Sequence, residues 1–230
     1  MATTHGTLRA VPLFHDLDAP SLEQLEARLR LRGFREGEII FHRDDVGNAL
    51  YVIRTGRVKI RLLADDGRET VLAILSPGDC FGELALLDGE PRSADAVAME
   101  RTETLILGRE DFLAALDHNP TLARRILVLL SHKLRQTNEQ LSDLVFYDLH
   151  GRVAKRLLEL AATHGVRGTL GTEISLPLTQ QELASLVGAT RESVNRVLRS
   201  FVSRGFIRVA NQRITILQPE GLRRQLGLAE

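Results

Sequence analysis

The segment Pro77–Ala98 holds the residues whose types and spacing best suit the binding of an anion. Gly82 precedes a short apolar run, which predicts a helical turn whose first backbone amides can donate hydrogen bonds to an anion. Arg92 and Ser93 follow a tight turn, and a guanidinium group beside a hydroxyl group suits a phosphate. Glu83 would repel a phosphate but could accept a hydrogen bond from a sugar hydroxyl group. A phosphate beside a ribose indicates a nucleotide, whereas a surface salt bridge between Glu83 and Arg92 is the alternative that needs no ligand.

A sheet must position this segment, because residues 33–107 carry short β-type runs separated by glycines at about ten-residue intervals. This pattern predicts a small antiparallel barrel or sandwich. Asp65-Asp66-Gly67 predicts a hairpin turn. Residues 10–32 instead predict short helices, with Ser21 in the cap region of a leucine-bearing patch. The predicted strands are Glu38–His42, Ala49–Ile53, Arg57–Leu63, Glu69–Ile74 and Thr102–Leu107.

A long helix is predicted over Pro120–Phe146, with its proline in the first turn. Its leucines are separated alternately by three and four residues, the rhythm of a coiled-coil seam. We therefore expect two copies of the chain to pair along this helix. The polar pair Thr137-Asn138 interrupts the seam, where a polar side chain would fix the register of pairing. The predicted interface residues are Leu127, Leu130, Leu134, Thr137, Leu141 and Leu144.

Two short helices joined by a sharp turn are predicted near the C-terminus. Thr179 and Glu182 form a capping box that starts the first helix, which reaches Val187. Gly188 allows the turn, and Thr190 caps the second helix. This arrangement is a helix-turn-helix. The flanking predictions are a helix over His150–Thr163, a glycine-bearing connection at residues 165–175, and a hairpin wing of Ile207–Val209 and Ile214–Ile216 that turns at Ala210-Asn211-Gln212-Arg213.

The second of these helices, Arg191 to about Arg204, has one apolar and one charged face. Arginine can bond bidentately to guanine, and glutamate can accept a hydrogen bond from cytosine, so the charged face suits DNA. A solvated helix surface is the alternative for such arginines seen alone. The predicted inner residues are Val194, Val197, Leu198, Phe201 and Val202, and the outer ones are Arg191, Glu192, Asn195, Arg196 and Arg199.

Composition sets limits on the class of protein. The 230 residues favour two modest domains, and 43% hydrophobic content is ample for packed cores. Residues 148–230 contain twelve basic and seven acidic side chains, a net charge of +5, whereas the rest carries −5. The C-terminal part is therefore the one expected to meet a polyanion.

Cys80 is the only cysteine, which excludes an internal disulfide and an all-cysteine metal or iron–sulfur site within one chain. No apolar run approaches the roughly 20 residues that span a bilayer. The N-terminus lacks a basic-then-apolar signal layout, so we expect a cytoplasmic protein.

Residues 78–94, GDCFGELALLDGEPRSA, resemble the phosphate-binding cassette of cyclic nucleotide-binding domains. With the long helix and the helix-turn-helix, residues 12–217 resemble the catabolite activator (cyclic AMP receptor) branch of the Crp/Fnr regulators. The resemblance implies an α+β fold with an N-terminal antiparallel β-roll, a long dimerisation helix and a C-terminal winged helix-turn-helix. The expected domains are residues 1–146 and 147–230, with a hinge at Asp143–Asp148.

The resemblance also assigns roles to residues. Glu83 would bind the ribose 2′-hydroxyl group, and Arg92 and Ser93 would hold the cyclic phosphate with the backbone amides from Gly82 to Ala85, which include Leu84. Thr137 and Asn138 would meet the adenine across the dimer. Asn138 stands where the family has serine, and its amide could also tolerate guanine. For DNA, Arg191, Glu192 and Arg196 would read a TGTGA-like half-site, Thr179, Gln181, Thr190 and Ser193 would contact phosphates, and Asn195 would add a base contact or fill space.

The expected function is that of a homodimeric, cyclic AMP-responsive transcription regulator on palindromic DNA, with RNA polymerase as a further partner. No membrane, metal or covalent cofactor is expected. Alternatives within the same fold are a ligand-independent regulator, or a sensor of cyclic GMP or of a gas bound to haem, although His42, His118 and His132 show no ligand spacing. An enzyme with a nucleotide-regulated domain lacks a catalytic constellation, and a passive DNA-architectural role would leave the cassette without purpose.

Overall fold

The computed structural model describes residues 8–176, 178–210 and 213–227. The chain folds into two compact units. The first contains the residues up to Gly67 and Leu72–Gln136, and the second contains Arg68–Val71 and the residues from Thr137 onward. Over the described ranges, no helix combines the length and the apolar character that crossing a membrane requires.

The N-terminal elements form a β-roll flanked by helices, which confirms the predicted α+β class. Two four-stranded sheets have the orders β1-β8-β3-β6 and β2-β7-β4-β5. The elements are α1 (Ala19–Glu26), β1 (Arg30–Phe34), β2 (Ile39–Phe41), β3 (Ala49–Thr55), β4 (Val58–Leu63), β5 (Glu69–Leu75), β6 (Cys80–Phe81), α2 (Leu84–Leu87), β7 (Asp95–Ala98), β8 (Thr102–Gly108), α3 (Arg109–His118) and α4 (Pro120–Phe146), after a short 3₁₀ helix at Leu8–Ala10.

Strand β3 divides the hydrophobic core of the roll in two. Because side chains alternate across a strand, Leu50 and Val52 pack in a cluster with the flanking helices, whereas Tyr51 and Ile53 pack inside the roll. Both faces of β3 are therefore buried, and β3 anchors the short strand β6 that leads into the cassette.

The five predicted strands are confirmed, but three strands were missed. Residues 30–32, which were predicted to be helical, belong to β1, because Arg30–Phe34 pairs with β8 in antiparallel register from Arg30 with Ile106 to Phe34 with Thr102. Strands β6 and β7 are short and depend on the same kind of long-range pairing. The helix α3 was also missed. The cap of α1 is Asp18, which accepts a hydrogen bond from the Ser21 amide, so Ser21 lies in the first turn instead. Gly67, at φ +81°, turns the chain between β4 and β5 as predicted.

The C-terminal elements form a helical unit closed by a four-stranded sheet of order β11-β12-β10-β9. Its elements are α5 (Leu149–His164), β9 (Gly165–Arg167), β10 (Thr172–Ile174), α6 (Gln180–Val187), α7 (Arg191–Ser203), β11 (Ile207–Ala210), β12 (Arg213–Ile216) and α8 (Pro219–Arg223), followed by a 3₁₀ helix at Arg224–Leu226. Helix α5 contacts α6, α7 and α8. The core residues on these helices include Val153, Leu157, Leu183, Phe201 and Leu222, all of them buried.

Two predictions for this unit were wrong. Residues 165–175 are not merely a connection, because β9 and β10 form a hairpin that extends the wing sheet. Val202 does not belong to the inner face of α7, since 45% of its surface is exposed. The predicted wing strands are confirmed, while Asn211 and Gln212 of the predicted turn lie outside the described residues.

Candidate nucleotide pocket and nucleic-acid interface

The cassette begins where β6 ends, at Gly82. This residue has a φ of +84°, a region that suits glycine, and a Cβ atom there would lie 2.6 Å from Nη1 of Arg92. Glu83 follows, and its carbonyl oxygen accepts the amides of both Leu86 and Leu87 at 3.1 Å. The predicted helical turn is therefore present as α2, and Gly82 allows Arg92 to approach the backbone at its start.

Arg92 is buried, with 4% of its surface exposed. Its Nη1 donates to the Gly82 carbonyl oxygen at 2.5 Å, and its Nη2 donates to the Ala49 carbonyl oxygen at 2.8 Å. Its Nε is buried and has no hydrogen-bond acceptor among the described residues. Burial lowers the pKa of Arg92, because desolvation disfavours the charged form, while the charges of Glu83 and Asp45 oppose that shift. The site thus holds a buried cation with a donor left for a ligand.

Glu83 is also buried, with 2% of its surface exposed. Its Oε1 forms an ion pair with Nζ of Lys133 at 2.8 Å, and the same Nζ lies 3.4 Å from the Cys80 carbonyl oxygen. The alternative of a surface salt bridge between Glu83 and Arg92 is therefore not what the structure contains. Lys133 was missed by sequence reasoning, although its position one helical turn before Thr137 on α4 was a usable signal.

The other predicted ligand residues differ in how far they are exposed. Ser93 directly follows Arg92 and is exposed, while Ala85 is buried so close to the loop at Gly47 that a Cβ atom on that glycine would lie 2.3 Å from it. Leu84 is partly exposed on α2. Thr137 and Asn138 are exposed on α4, within the second compact unit. Of the predicted ligand residues, Gly82, Glu83 and Arg92 lie close together, since Arg92 bonds to Gly82 and interacts with the charge of Glu83.

The predicted seam of α4 carries a row of exposed leucines. Leu127, Leu134, Leu141 and Leu144 each expose more than half of their surface, and Phe146 at the helix end exposes 78%. A soluble monomer rarely exposes such a continuous apolar row. One predicted seam residue differs, because Leu130 is partly buried against the core of its own β-roll.

The helix-turn-helix is capped as predicted. Thr179 and Glu182 form a complete capping box, with the Glu182 amide donating to Oγ1 of Thr179 at 3.1 Å and the Thr179 amide donating to Oε2 of Glu182 at 2.8 Å. Gly188, at φ +63°, ends α6. The Oγ1 of Thr190 accepts the Ser193 amide at 3.3 Å and starts α7. These caps satisfy helix-end amides and set the positions at which α6 and α7 begin.

The outer face of α7 presents the predicted charged residues to solvent. Arg191, Glu192 and Arg196 are exposed, whereas Asn195 is half-buried. Nη2 of Arg196 donates to Oγ of Ser193 at 3.1 Å, which orients this arginine along the helix. A groove of about 510 Å³ runs between α6, α7 and the wing, and its lining includes Thr179, Gln181, Arg191, Val209 and Ile214.

The start of α5 is held to the end of α4 by two basic side chains. Nζ of Lys155 lies 2.5 Å from Oδ1 of Asp143. Burial lowers the pKa of Lys155, but the hydrogen bond and the charge of Asp143 outweigh it, so the pKa is raised overall. Arg152 donates to the carbonyl oxygens of Tyr147 and Val187 at 3.2 and 3.1 Å. These contacts brace the segment that the sequence predicts to be a hinge.

Comparison with known proteins identifies both halves of the chain. Residues 31–119 match the cyclic nucleotide-binding domain family, and residues 151–225 match the Crp-like helix-turn-helix domain family. The chain belongs to the Crp/Fnr family of transcription regulators. The predicted fold class and family are thereby confirmed. Members of this family are DNA-binding regulators rather than enzymes.

Relatives within the Crp/Fnr family align over nearly the whole chain. The chain is 36% identical over 213 residues to a CRP-like cAMP-activated global transcriptional regulator of Mycobacterium tuberculosis, covering 93% of this chain and 95% of the relative. It is 38% identical over 205 residues to the cyclic AMP receptor protein of Thermus thermophilus, covering 88% and 90%. Among solved structures, the c-di-GMP responsive global regulator CLP of Xanthomonas campestris matches with a TM-score of 0.77 at 28% identity, covering 86% of this chain and 99% of the other.

No cluster of three or more histidine, cysteine, aspartate or glutamate side chains able to hold a metal ion occurs within residues 8–176, 178–210 and 213–227. The single thiol, Cys80, is buried. Burial raises its pKa well above the usual range, and the nearby Lys133 charge opposes that shift without reversing it.

Proposed function

We propose that this Crp/Fnr regulator binds cyclic AMP in its β-roll and in response binds palindromic TGTGA-like DNA as a homodimer. The observation that carries the proposal is the buried Nε of Arg92 without an acceptor, beside a buried Glu83. Leaving a buried charged donor unpaired is costly, and a phosphate oxygen would relieve that cost. Glu83 would accept the ribose 2′-hydroxyl group, with Lys133 holding its carboxylate in place.

Cyclic AMP is favoured over other nucleotides by the functions that the two relatives above are named for. Asn138 is the specific reason to keep cyclic GMP as a second candidate, because an amide can donate and accept. A structural neighbour described as c-di-GMP responsive supports testing that nucleotide as well. Thr137 and Asn138 would meet the base in the dimer.

The homodimer is supported by the exposed leucine row of α4. Pairing along it would bury Leu127, Leu134, Leu141 and Leu144 from both protomers. Two α7 helices would then sit about 34 Å apart, the spacing of successive major grooves. Arg191, Glu192 and Arg196 would read bases, while Thr179, Gln181, Thr190 and Ser193 would contact phosphates.

We also propose a domain boundary, a location and a further partner for this regulator. We place the boundary between the ligand-binding and DNA-binding domains between residues 146 and 147. The protein would act in the cytoplasm, contact RNA polymerase, and catalyse no reaction. Cyclic AMP would act by binding the DNA-competent arrangement of the dimer more tightly than the other arrangement.

The central test is fluorescence anisotropy on labelled palindromic DNA carrying two TGTGA half-sites. We expect cyclic AMP to tighten binding by about 5- to 150-fold, the usual range of allosteric coupling. Parallel titrations with cyclic GMP and c-di-GMP, and with DNA whose half-sites are scrambled, serve as controls. Equal affinity with and without every nucleotide would contradict a ligand-responsive regulator, and equal affinity for scrambled DNA would contradict the half-site assignment.

Replacing Arg191 with leucine should weaken specific DNA binding by about 1–3 kcal/mol, the value of one bidentate base contact. The preference at one base pair of each half-site should relax, and a panel of single-base variants measured by anisotropy would show it. Arg204, at the opposite end of α7, provides a matched control. Arg204→Leu should leave base preference unchanged. A uniform loss across all sequences for Arg191→Leu would instead make Arg191 a phosphate contact.

A further inference from the structure

Phe41 lies against the face of the Arg92 guanidinium group. The Cζ atom of Arg92 is 4.3 Å from the centroid of the Phe41 ring and 5.8 Å from that of Tyr51. The Phe41 ring is itself held, with centroid distances of 5.6 Å to Tyr51 and 5.8 Å to Phe81, and those two rings stack at 5.1 Å. A cation thus rests on a fixed aromatic surface, where the electron-rich ring face attracts it.

The remaining sides of the guanidinium group are closed by backbone. Nη1 and Nη2 are taken by the carbonyl oxygens of Gly82 and Ala49. A Cβ atom on Gly47 would lie 3.2 Å from Cζ, and one on Gly82 would lie 2.6 Å from Nη1. Arg92 therefore occupies a narrow slot between two glycines and the Phe41 ring. The buried donor left over in this slot is Nε.

We propose that Phe41 is a positioning residue for the ligand, because its ring holds Arg92 in the orientation that binds the phosphate. This inference rests on the proposed nucleotide site. Without the ring, the guanidinium group loses the attraction on one face and can turn away from the site. The apparent dissociation constant then rises by the inverse of the fraction of protein in which Arg92 stays correctly placed. For a desolvated cation–π contact, that rise is roughly 2- to 30-fold.

Phe41 can act on Arg92 through the electron density of its ring face, which is separate from the space that its ring fills in the core. Phe41 also fills space in the core of the roll, so Phe41→Leu alone could weaken binding through packing. Fluorine atoms on the ring withdraw electron density from its face with little change in size. A packing role predicts no dependence on fluorination, whereas a cation–π role predicts a stepwise loss.

The experiment replaces Phe41 with phenylalanine analogues carrying one, two or three ring fluorine atoms and measures cyclic AMP affinity by calorimetry. We expect the affinity to fall at each step, with a total loss of up to roughly 30-fold. Phe34 offers a matched control, because it is buried and Cζ of Arg32 lies 4.6 Å from its ring centroid. Fluorination of Phe34 should leave the affinity unchanged.

The outcomes separate this inference from the proposed function. If the unsubstituted protein binds no cyclic AMP, the proposed function fails. If it binds and the Phe41 series is flat, the positioning role is wrong while the proposed function stands. Equal losses in the Phe34 and Phe41 series would reveal a general effect of fluorination and would also overturn the role. Circular dichroism and thermal unfolding of each ligand-free variant check that the protein stays folded at the temperature of the calorimetry.

Discussion

Replacing Arg92 with leucine should abolish detectable cyclic AMP binding while leaving a folded dimer. The Nε donor left without an acceptor would give one hydrogen bond to the phosphate. Such a bond to a charged group is worth about 1.5–3 kcal/mol, so its loss alone weakens binding by about 10- to 150-fold, and the lost positive charge weakens it further. Leucine is shorter than arginine, so it leaves the guanidinium position empty and the Gly82 and Ala49 carbonyl oxygens without the Arg92 donor. We therefore also expect a lower melting temperature. Calorimetry measures the affinity, and circular dichroism with sedimentation confirms the folded dimer.

Two further variants make this prediction sharper. Arg92→Lys keeps the positive charge but loses the fork of donors, so an intermediate loss of affinity is expected. Arg54, which pairs with Glu103 on the same β-roll, is the control. Arg54→Leu removes an arginine from the domain and should leave cyclic AMP binding unchanged. Unchanged calorimetric binding by Arg92→Leu would remove the assignment of Arg92 to the phosphate.

Replacing Leu134 with aspartate should convert the dimer to monomers. Leu134 exposes 63% of its surface in the single chain, so the change has little effect on the fold of one protomer. In the proposed dimer, each copy would lose about 1.5–3 kcal/mol of apolar burial, and both would bury an unpaired charge near the two-fold axis. The dissociation constant of the dimer should rise by at least about a thousandfold. Sedimentation velocity at micromolar concentration would show the smaller species.

Leu63 supplies the matched control for this change. It is a leucine with 50% exposure on β4, outside the proposed seam. Leu63→Asp should leave the dimer intact and the melting temperature similar. A dimer that persists in Leu134→Asp would show that the protomers pair through another surface, and specific DNA binding by a stable monomer would argue against the palindromic site.

Local sequence signals predicted the helices and strands that are marked by caps, turns and side-chain spacing within a few residues. Pro120 at the start and the regular leucine spacing predicted helix α4 with its observed bounds. The Thr179–Glu182 capping box and Gly188 predicted the ends of α6 equally well. Glycines between alternating runs predicted five strands of the roll. For the helices, the signals join residues less than about two turns apart, so the local sequence carries them. For the strands, only the pattern and the glycine turns are local, because the pairing partners are distant, as for β3 with β8.

The tertiary structure alone decided what depends on distant parts of the chain. Residues 30–32 became part of a strand because β8 supplies pairing partners more than 70 residues away, which their own sequence pattern does not indicate. The cassette was recognisable from its residues, yet its partners were not. Lys133 reaches Glu83 from α4, and Phe41 reaches Arg92 from β2. Spacing along the chain reveals which residues could bind a phosphate, but only the packing of distant strands and helices decides which side chains hold them in place.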